Sequence, residues 1–129
     1  MFQTEANMQD FRNLAVWREA HQLVLSIYRE TSSFPSVEQF GITQQMRRSA
    51  ASIATNFAEG CGRGSDADFA RFIQMGLGSA SELEYQILLT TDLGYLPPAA
   101  SRQLSDHVKA IKKMATALLI KLRRPQRYS

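Results

Sequence analysis

Cysteine is almost absent from this sequence, in which Cys61 is the only one among 129 residues. An internal disulfide and a metal site built from cysteines are therefore excluded, and a reducing compartment suits such a chain. Long hydrophobic runs are also missing, because no segment approaches the roughly 20 apolar residues of a membrane span. No apolar run preceded by positive charge marks the first residues. These absences predict a soluble, cytoplasmic protein that does not enter a membrane.

The residue types of catalytic and metal sites are few and scattered. Cys61 lies in a glycine-rich turn, whereas His21 and His107 fall in the first and last predicted helices, so no catalytic Cys-His pair is predicted. Glu82 and Glu84 lie on opposite sides of a helix, and neither is followed three residues later by the histidine found in di-metal bundles. The sequence predicts no enzyme activity, no metal and no cofactor.

The most informative stretch is residues 44–60, QQMRRSAASIATNFAEG. Its main apolar residues recur at intervals of four, three and four, which places them on one face of a helix: Met46, Ala50, Ile53 and Phe57. Most positions between them carry small side chains that allow neighbouring backbones to approach closely. Thr43 is predicted to cap this helix, and Gly60 is predicted to end it.

The first and last helices are predicted from the same period. The first covers residues 13–32, with Asn13 as its cap, and ends before Pro35, because proline disfavours the helical conformation in the residue before it. The last begins near Pro98, which suits a first helical position, and ends before Pro125. Their apolar repeats are Trp17, Ala20, Val24, Ile27 and Thr31 in the first helix and Leu104, Val108, Ile111, Ala115, Leu118 and Leu122 in the last.

The third helix is predicted to begin at the cap residue Ser65 and to continue to about residue 93. Its heptad repeat consists of Phe69, Ile73, Gly76, Ala80, Leu83 and Ile87. Gly76 and Gly78 inside this helix cost roughly 1 kcal/mol each against alanine. We expect close approach to the small residues of the central helix to offset that cost.

Four amphipathic helices with short connections predict an all-α fold, an antiparallel up-down-up-down four-helix bundle. In this prediction residues 13–124 form the bundle, residues 1–12 are a flexible lead-in, and residues 125–129 are a basic tail. The apolar runs are too long and too helical in period for strands.

A polar stripe follows the central helix. Arg48, Ser52, Asn56 and Glu59 recur at intervals of four, four and three, and Glu82 of the third helix is an available partner for an arginine. Two interpretations remain open: a solvated face, or a hydrogen-bonded polar seam that lies either within the bundle or between subunits. Both give the stripe a structural role.

Basic residues are concentrated at the C-terminal end of the chain. From Arg102 onward only Asp106 is acidic, so this part has a net charge of +7, against −4 for the remainder and +3 overall. Such an uneven charge distribution suits binding either to a polyanion or to an acidic face on another subunit. The candidate nucleic-acid-binding residues are Lys109, Lys112, Lys113, Lys121, Arg123, Arg124 and Arg127.

Several of these motifs together resemble the four-helix-bundle proteins encoded in intervening sequences of bacterial 23S rRNA genes, a family similar to the accessory protein of diversity-generating retroelements. The resemblance runs from about Asp10 to Arg123. It rests on the motifs FRNLAVW (11–17), Phe34-Pro35, QMRRSA (45–50), NFAEG (56–60) and GSASELE (78–84). It implies a ring-shaped homopentamer with a basic surface suspected of binding nucleic acid, and no known catalysis.

Two functional hypotheses follow from the charge pattern and the resemblance. In the first, a non-enzymatic homo-oligomer binds RNA or DNA through its basic surface. In the alternative, the same oligomer is a protein-protein interaction scaffold or an accessory subunit that does not touch nucleic acid. The dependence of binding on salt distinguishes the two, because phosphate contacts weaken steeply as the salt concentration rises.

Overall fold

The computed structural model describes residues 10–125, and four α-helices account for most of them. We number them α1 (Ala15–Thr31), α2 (Ile42–Cys61), α3 (Asp66–Asp92) and α4 (Pro98–Arg123). Short 3-10 turns, Phe11–Asn13 and Ser36–Glu38, precede α1 and α2. No strand occurs between residues 10 and 125, so the predicted all-α class is confirmed.

Each helix packs against its neighbours along the chain, and α1 also packs against α4. This cyclic order of contacts, with short connections between the helices, is an antiparallel up-down-up-down bundle and confirms the predicted fold. The start of α1, the end of α2, the start of α3 and the end of α4 therefore lie at one end of the molecule, which we call the lower end. Between residues 10 and 125, no helix is both long enough and apolar enough to span a membrane.

The apolar repeats predicted for α2, α3 and α4 are all buried and form most of the core. In α1 the prediction was partly wrong: Val16 and Leu23 are buried, whereas Trp17 and Val24 are only partly buried at the edge of the core. The two sets are one residue apart, and intervals of three and four fit either of them. The structure places Val16 beside Leu118 of α4, while Trp17 faces α2.

Of the three predicted caps, one is confirmed. The hydroxyl of Ser65 accepts a hydrogen bond of 3.1 Å from the backbone N–H of Asp68 at the start of α3. Asn13 lies in the 3-10 turn, and Leu14 holds the cap position of α1 without a side-chain bond. Thr43 lies inside the first turn of α2, where its buried hydroxyl has no hydrogen-bond partner among residues 10–125.

Two helical glycines allow close packing. Gly60 does not end α2, which continues to Cys61, and a Cβ at Gly60 would lie 2.8 Å from the Cβ of Phe72. At Gly76 of α3 a Cβ would lie 2.4 Å from the ring of Phe57. The prediction for Gly78 was wrong, because no atom of the described chain lies within 4 Å of a Cβ placed there.

Candidate nucleic-acid interface

The outer face of α4 carries a group of cations, Lys109, Lys113 and Arg124, which we call the α4 basic face. Lys109 and Lys113 are four residues apart on one side of the helix, opposite the buried Leu104 and Val108, and Arg124 directly follows its last residue. All three are exposed, and none of their side chains forms an ion pair or hydrogen bond with residues 10–125. Their charges are therefore available to an external anion.

The other predicted cations of this region are placed differently. Lys112 points toward α3, where its ammonium group lies 2.9 Å from the carboxylate of Glu84 and both side chains are less than one-third exposed. Arg123 lies 3.5 Å from the side-chain oxygen of Gln74, also on α3. Lys121 is exposed on the α1 side of α4, and Arg127 falls outside the described residues. The structure therefore distributes the predicted cluster over three sides of α4.

The predicted polar stripe is divided between two environments. Ser52 shares a hydrogen bond of 2.8 Å with Ser79 of α3, and Asn56 donates to the backbone oxygen of Ser52 at 2.8 Å. These residues form a polar contact within the bundle. Arg48 and Glu82 are both exposed, and neither forms an ion pair or hydrogen bond with the described part of the chain.

The last residue of the stripe, Glu59, lies beside a cavity that the sequence did not predict. Its carboxylate is 3.4 Å from the guanidinium of Arg63, in the turn after α2. The cavity has a volume of about 540 Å³ and lies between the start of α1 and the end of α2. Phe11 and Trp17 form its aromatic side, with ring centroids 4.7 Å apart, and Thr55 lies on its α2 side. We call it the Trp17 cavity.

The aromatic side of the Trp17 cavity continues along α1. The rings of Trp17 and His21 stack at 5.1 Å with an interplanar angle of 6°. A signal for this surface is present in the sequence, because Trp17 and His21 are four residues apart on one helical face and Phe11 precedes them. This surface is absent from the sequence-based predictions because they assign Phe11 to a flexible lead-in and Trp17 to the core.

A second depression of about 370 Å³ lies between α1 and α2 toward the opposite, upper end of the bundle. Arg47 is fixed there: its Nε donates to the hydroxyl of Thr31 at 2.9 Å, and its guanidinium lies 4.6 Å from the ring centroid of Tyr28. Phe40 also lines this depression, and Val37 lies nearby in the preceding turn; they are 84% and 85% exposed. This end of the molecule therefore presents apolar side chains to its surroundings.

Few groups in the described chain have shifted acidities. The hydrogen bond from the Arg12 side chain lowers the pKa of Asp10. Burial raises the pKa of Cys61, and a hydrogen bond to Glu38 raises that of Tyr95. No cluster of potential metal ligands occurs within residues 10–125.

Comparison with known proteins identifies the family. Residues 12–117 match the family model described as 23S rRNA-intervening sequence protein. A solved structure of a protein of unknown function from the S23 ribosomal protein family of Bacteroides thetaiotaomicron has the same fold, with a TM-score of 0.74 and 22% sequence identity over 81% of this chain and 98% of that chain. No curated protein matches the sequence. Because the family model covers most of the chain, this protein belongs to the 23S rRNA-intervening sequence protein family.

Proposed function

We propose that this member of the 23S rRNA-intervening sequence protein family is a non-enzymatic, cytoplasmic homo-oligomer that binds RNA or DNA through its basic surface. The observation that carries the proposal is the α4 basic face, where the cations have no acidic partner in the described chain. Such cations release the counterions of a nucleic acid when they contact its phosphates, which favours binding without sequence specificity.

The oligomer in this proposal is a homopentamer, as the family resemblance implies. Assembly of several identical chains repeats the α4 basic face, so a weak contact at each copy adds to the affinity for one long polyanion. Light scattering gives the solution mass directly. A monomeric mass at the concentrations used for binding would contradict the assembly.

Binding is tested by fluorescence anisotropy with labelled duplex DNA and RNA over a series of salt concentrations. Each phosphate contact on duplex DNA contributes about 0.9 to the slope of log affinity against log salt. We therefore expect Lys113→Ala to lower the magnitude of that slope by about 0.9 for each copy of the chain that contacts the duplex, and Lys109→Ala/Lys113→Ala to lower it by about twice as much. Arg29→Ala is the matched control, because it removes one exposed charge from α1. Equal slopes in all variants would refute the proposed face.

A second candidate function, a protein-protein scaffold, is favoured by apolar side chains on the outside of α3. Met75, Tyr85, Leu88 and Leu93 are 47–61% exposed. The unpaired Arg48 and Glu82 lie on the outer surfaces of adjacent helices and suit an ion pair between two copies. Under this reading Arg48→Glu and Glu82→Arg each reduce the solution mass, and the combined variant restores it. Unchanged assembly in both single variants would exclude that pair from the interface.

A further inference from the structure

The Trp17 cavity has the composition of a site for a flat, partly polar ligand. Its volume of about 540 Å³ lies within the range of ligand pockets, roughly 300–1,000 Å³, but it is a depression that is widely open to the surface. One side is aromatic, formed by Phe11 and Trp17, while the α2 side consists of small residues, among them Thr55 and Ala58. Aromatic side chains bind unpaired nucleobases by stacking, because every base has a π-face.

Arg63 adds hydrogen-bond donors at the rim of this cavity. Its guanidinium lies 3.4 Å from Glu59 and 3.6 Å from Asp68, but its side chain donates no hydrogen bond to residues 10–125. The Nε atom of Arg63 is buried and has no hydrogen-bond partner among residues 10–125, although the Asp68 carboxylate lies 3.6 Å from it. A guanidinium has five N–H donors, so it can serve a phosphate or a base edge, while the Glu59 carboxylate can accept from the amino group of a base.

Further cations surround the lower end of α1, beside the cavity. Arg12 follows Phe11 directly, and the guanidinium of Arg18 donates a hydrogen bond of 3.0 Å to the backbone oxygen of Arg12. Lys121 of α4 borders a neighbouring depression that includes Leu14. Carboxylates accompany two of the cations at this end: Asp10 pairs with Arg12, and Glu59 and Asp68 both lie within 4 Å of Arg63, whereas Arg18 and Lys121 have no acidic partner within residues 10–125. A strand of nucleic acid that passes this end of the bundle therefore meets cations on both sides of α1.

We infer that the Trp17 cavity binds one unpaired nucleobase of a single-stranded nucleic acid whose phosphates lie on the cations around the lower end of α1. This inference rests on the proposed nucleic-acid function and adds a preference for unpaired bases to it. A duplex reaches the α4 basic face through its phosphates, but its bases are stacked and paired and do not enter the cavity. The protein is therefore expected to bind a single strand more tightly than a duplex of equal length.

Trp17 is the only tryptophan in the sequence, so its fluorescence reports on the cavity directly. The experiment titrates the full-length protein with a single-stranded oligoadenylate and with an abasic oligonucleotide of the same length and charge. Anisotropy of a label on each strand measures binding, and tryptophan emission measures occupation of the cavity. We expect a change of emission with oligoadenylate alone, and roughly tenfold weaker binding of the abasic strand.

Two variants separate the cavity from the rest of the surface. Ala58→Phe places a large side chain on the small α2 side, whereas Ala99→Phe is its matched control at an exposed position at the start of α4, ten residues before Lys109. We expect Ala58→Phe to abolish the emission change and to bind both strands with the affinity of the abasic strand. Ala99→Phe should behave as wild type. Far-UV circular dichroism confirms that both variants are folded.

The possible failures are distinguishable. Equal anisotropy with the two strands and no emission change would overturn the base site and leave the proposed nucleic-acid function intact. No anisotropy change with any strand or duplex, even at low salt, would overturn both. A change of Trp17 emission on dilution of the protein alone would assign the cavity to a contact between copies of this chain, which also overturns the base site.

Discussion

The packing of α3 against α2 leads to a quantitative prediction at Gly76. Replacement by alanine adds a Cβ that would lie 2.4 Å from Cε1 and 2.9 Å from Cδ1 of Phe57. Carbon atoms in contact are normally about 3.5–4.0 Å apart. The ring of Phe57 is fully buried, so it cannot move into solvent to relieve the overlap. Either the ring leaves its preferred rotamer or the two helices move apart.

The expected magnitude is the difference between two opposing effects. Alanine is better than glycine in a helix interior by about 1 kcal/mol. Overpacking a well-packed core costs typically 1–3 kcal/mol, and an approach as close as that of Gly76 to Phe57 belongs at the upper end of that range. We therefore expect Gly76→Ala to lower the free energy of unfolding by about 1–2 kcal/mol.

Gly78 provides the matched control, because it lies on the same helix and a Cβ there meets no atom within 4 Å. Gly78→Ala should raise the free energy of unfolding by about 0.5–1 kcal/mol, so the two variants differ by about 1.5–3 kcal/mol in total. Urea unfolding followed by circular dichroism at one fixed protein concentration measures both. The reasoning fails if Gly76→Ala is as stable as wild type or more stable at an unchanged m-value.

Three other predictions concern single contacts. The Tyr95 hydroxyl donates a hydrogen bond of 3.0 Å to Glu38, and this bond raises the pKa of Tyr95 above its ordinary value of 10.0. The folded state therefore binds the phenol proton more tightly than the unfolded state does. The resulting stabilisation is present below pH 10 and is lost as the pH rises through the pKa of the folded state. Ultraviolet titration of Glu38→Ala should show the pKa of Tyr95 moving back toward its ordinary value, and titration of Tyr95→Phe identifies which part of the absorbance change belongs to Tyr95. An unchanged pKa of Tyr95 in Glu38→Ala would show that the hydrogen bond to Glu38 does not cause the shift. A double-mutant cycle on Lys112 and Glu84 should give a coupling of about 0.5–1 kcal/mol, since both groups are partly buried, and zero coupling would show that solvent screens the pair. Burial raises the pKa of Cys61, so a thiol reagent should modify the native protein far more slowly than the urea-unfolded protein, and equal rates would refute its burial.

Most of the core could be predicted from the sequence, because the residues that pack against neighbouring helices recur in the sequence at the period of the helix. The heptad repeats of α3 and α4 coincide with the buried faces of these helices, so the spacing alone selected the buried set. In α1 two neighbouring faces are apolar, and only the position of α4 decides that Val16 is buried and Trp17 is partly exposed. That information lies in residues about one hundred positions away, which no local pattern contains.

The glycines show a second limit of local patterns. Gly60 looks like a helix stop because glycine is common just after a helix, but its absent side chain is needed for contact with Phe72. Gly94, in the turn after α3, is the glycine with a positive φ, 81°. A turn with positive φ and a close contact between helices both require glycine. A glycine in the sequence therefore does not show by itself which of the two it serves.

One candidate site lies on a single helix and the other lies between two helices, and this explains why only the first could be predicted from the sequence. The α4 basic face belongs to one helix, so the spacing of Lys109 and Lys113 predicts their common side before any fold is known. Lys112 does not belong to the α4 basic face, because its ammonium group pairs with Glu84 on α3. The Trp17 cavity joins Phe11 and Trp17 to residues of α2 more than thirty positions later, and it exists only where α1 and α2 pack together at the lower end. A binding surface made by one helix is therefore visible as a pattern, whereas a cavity made by two helices requires their packing to be known.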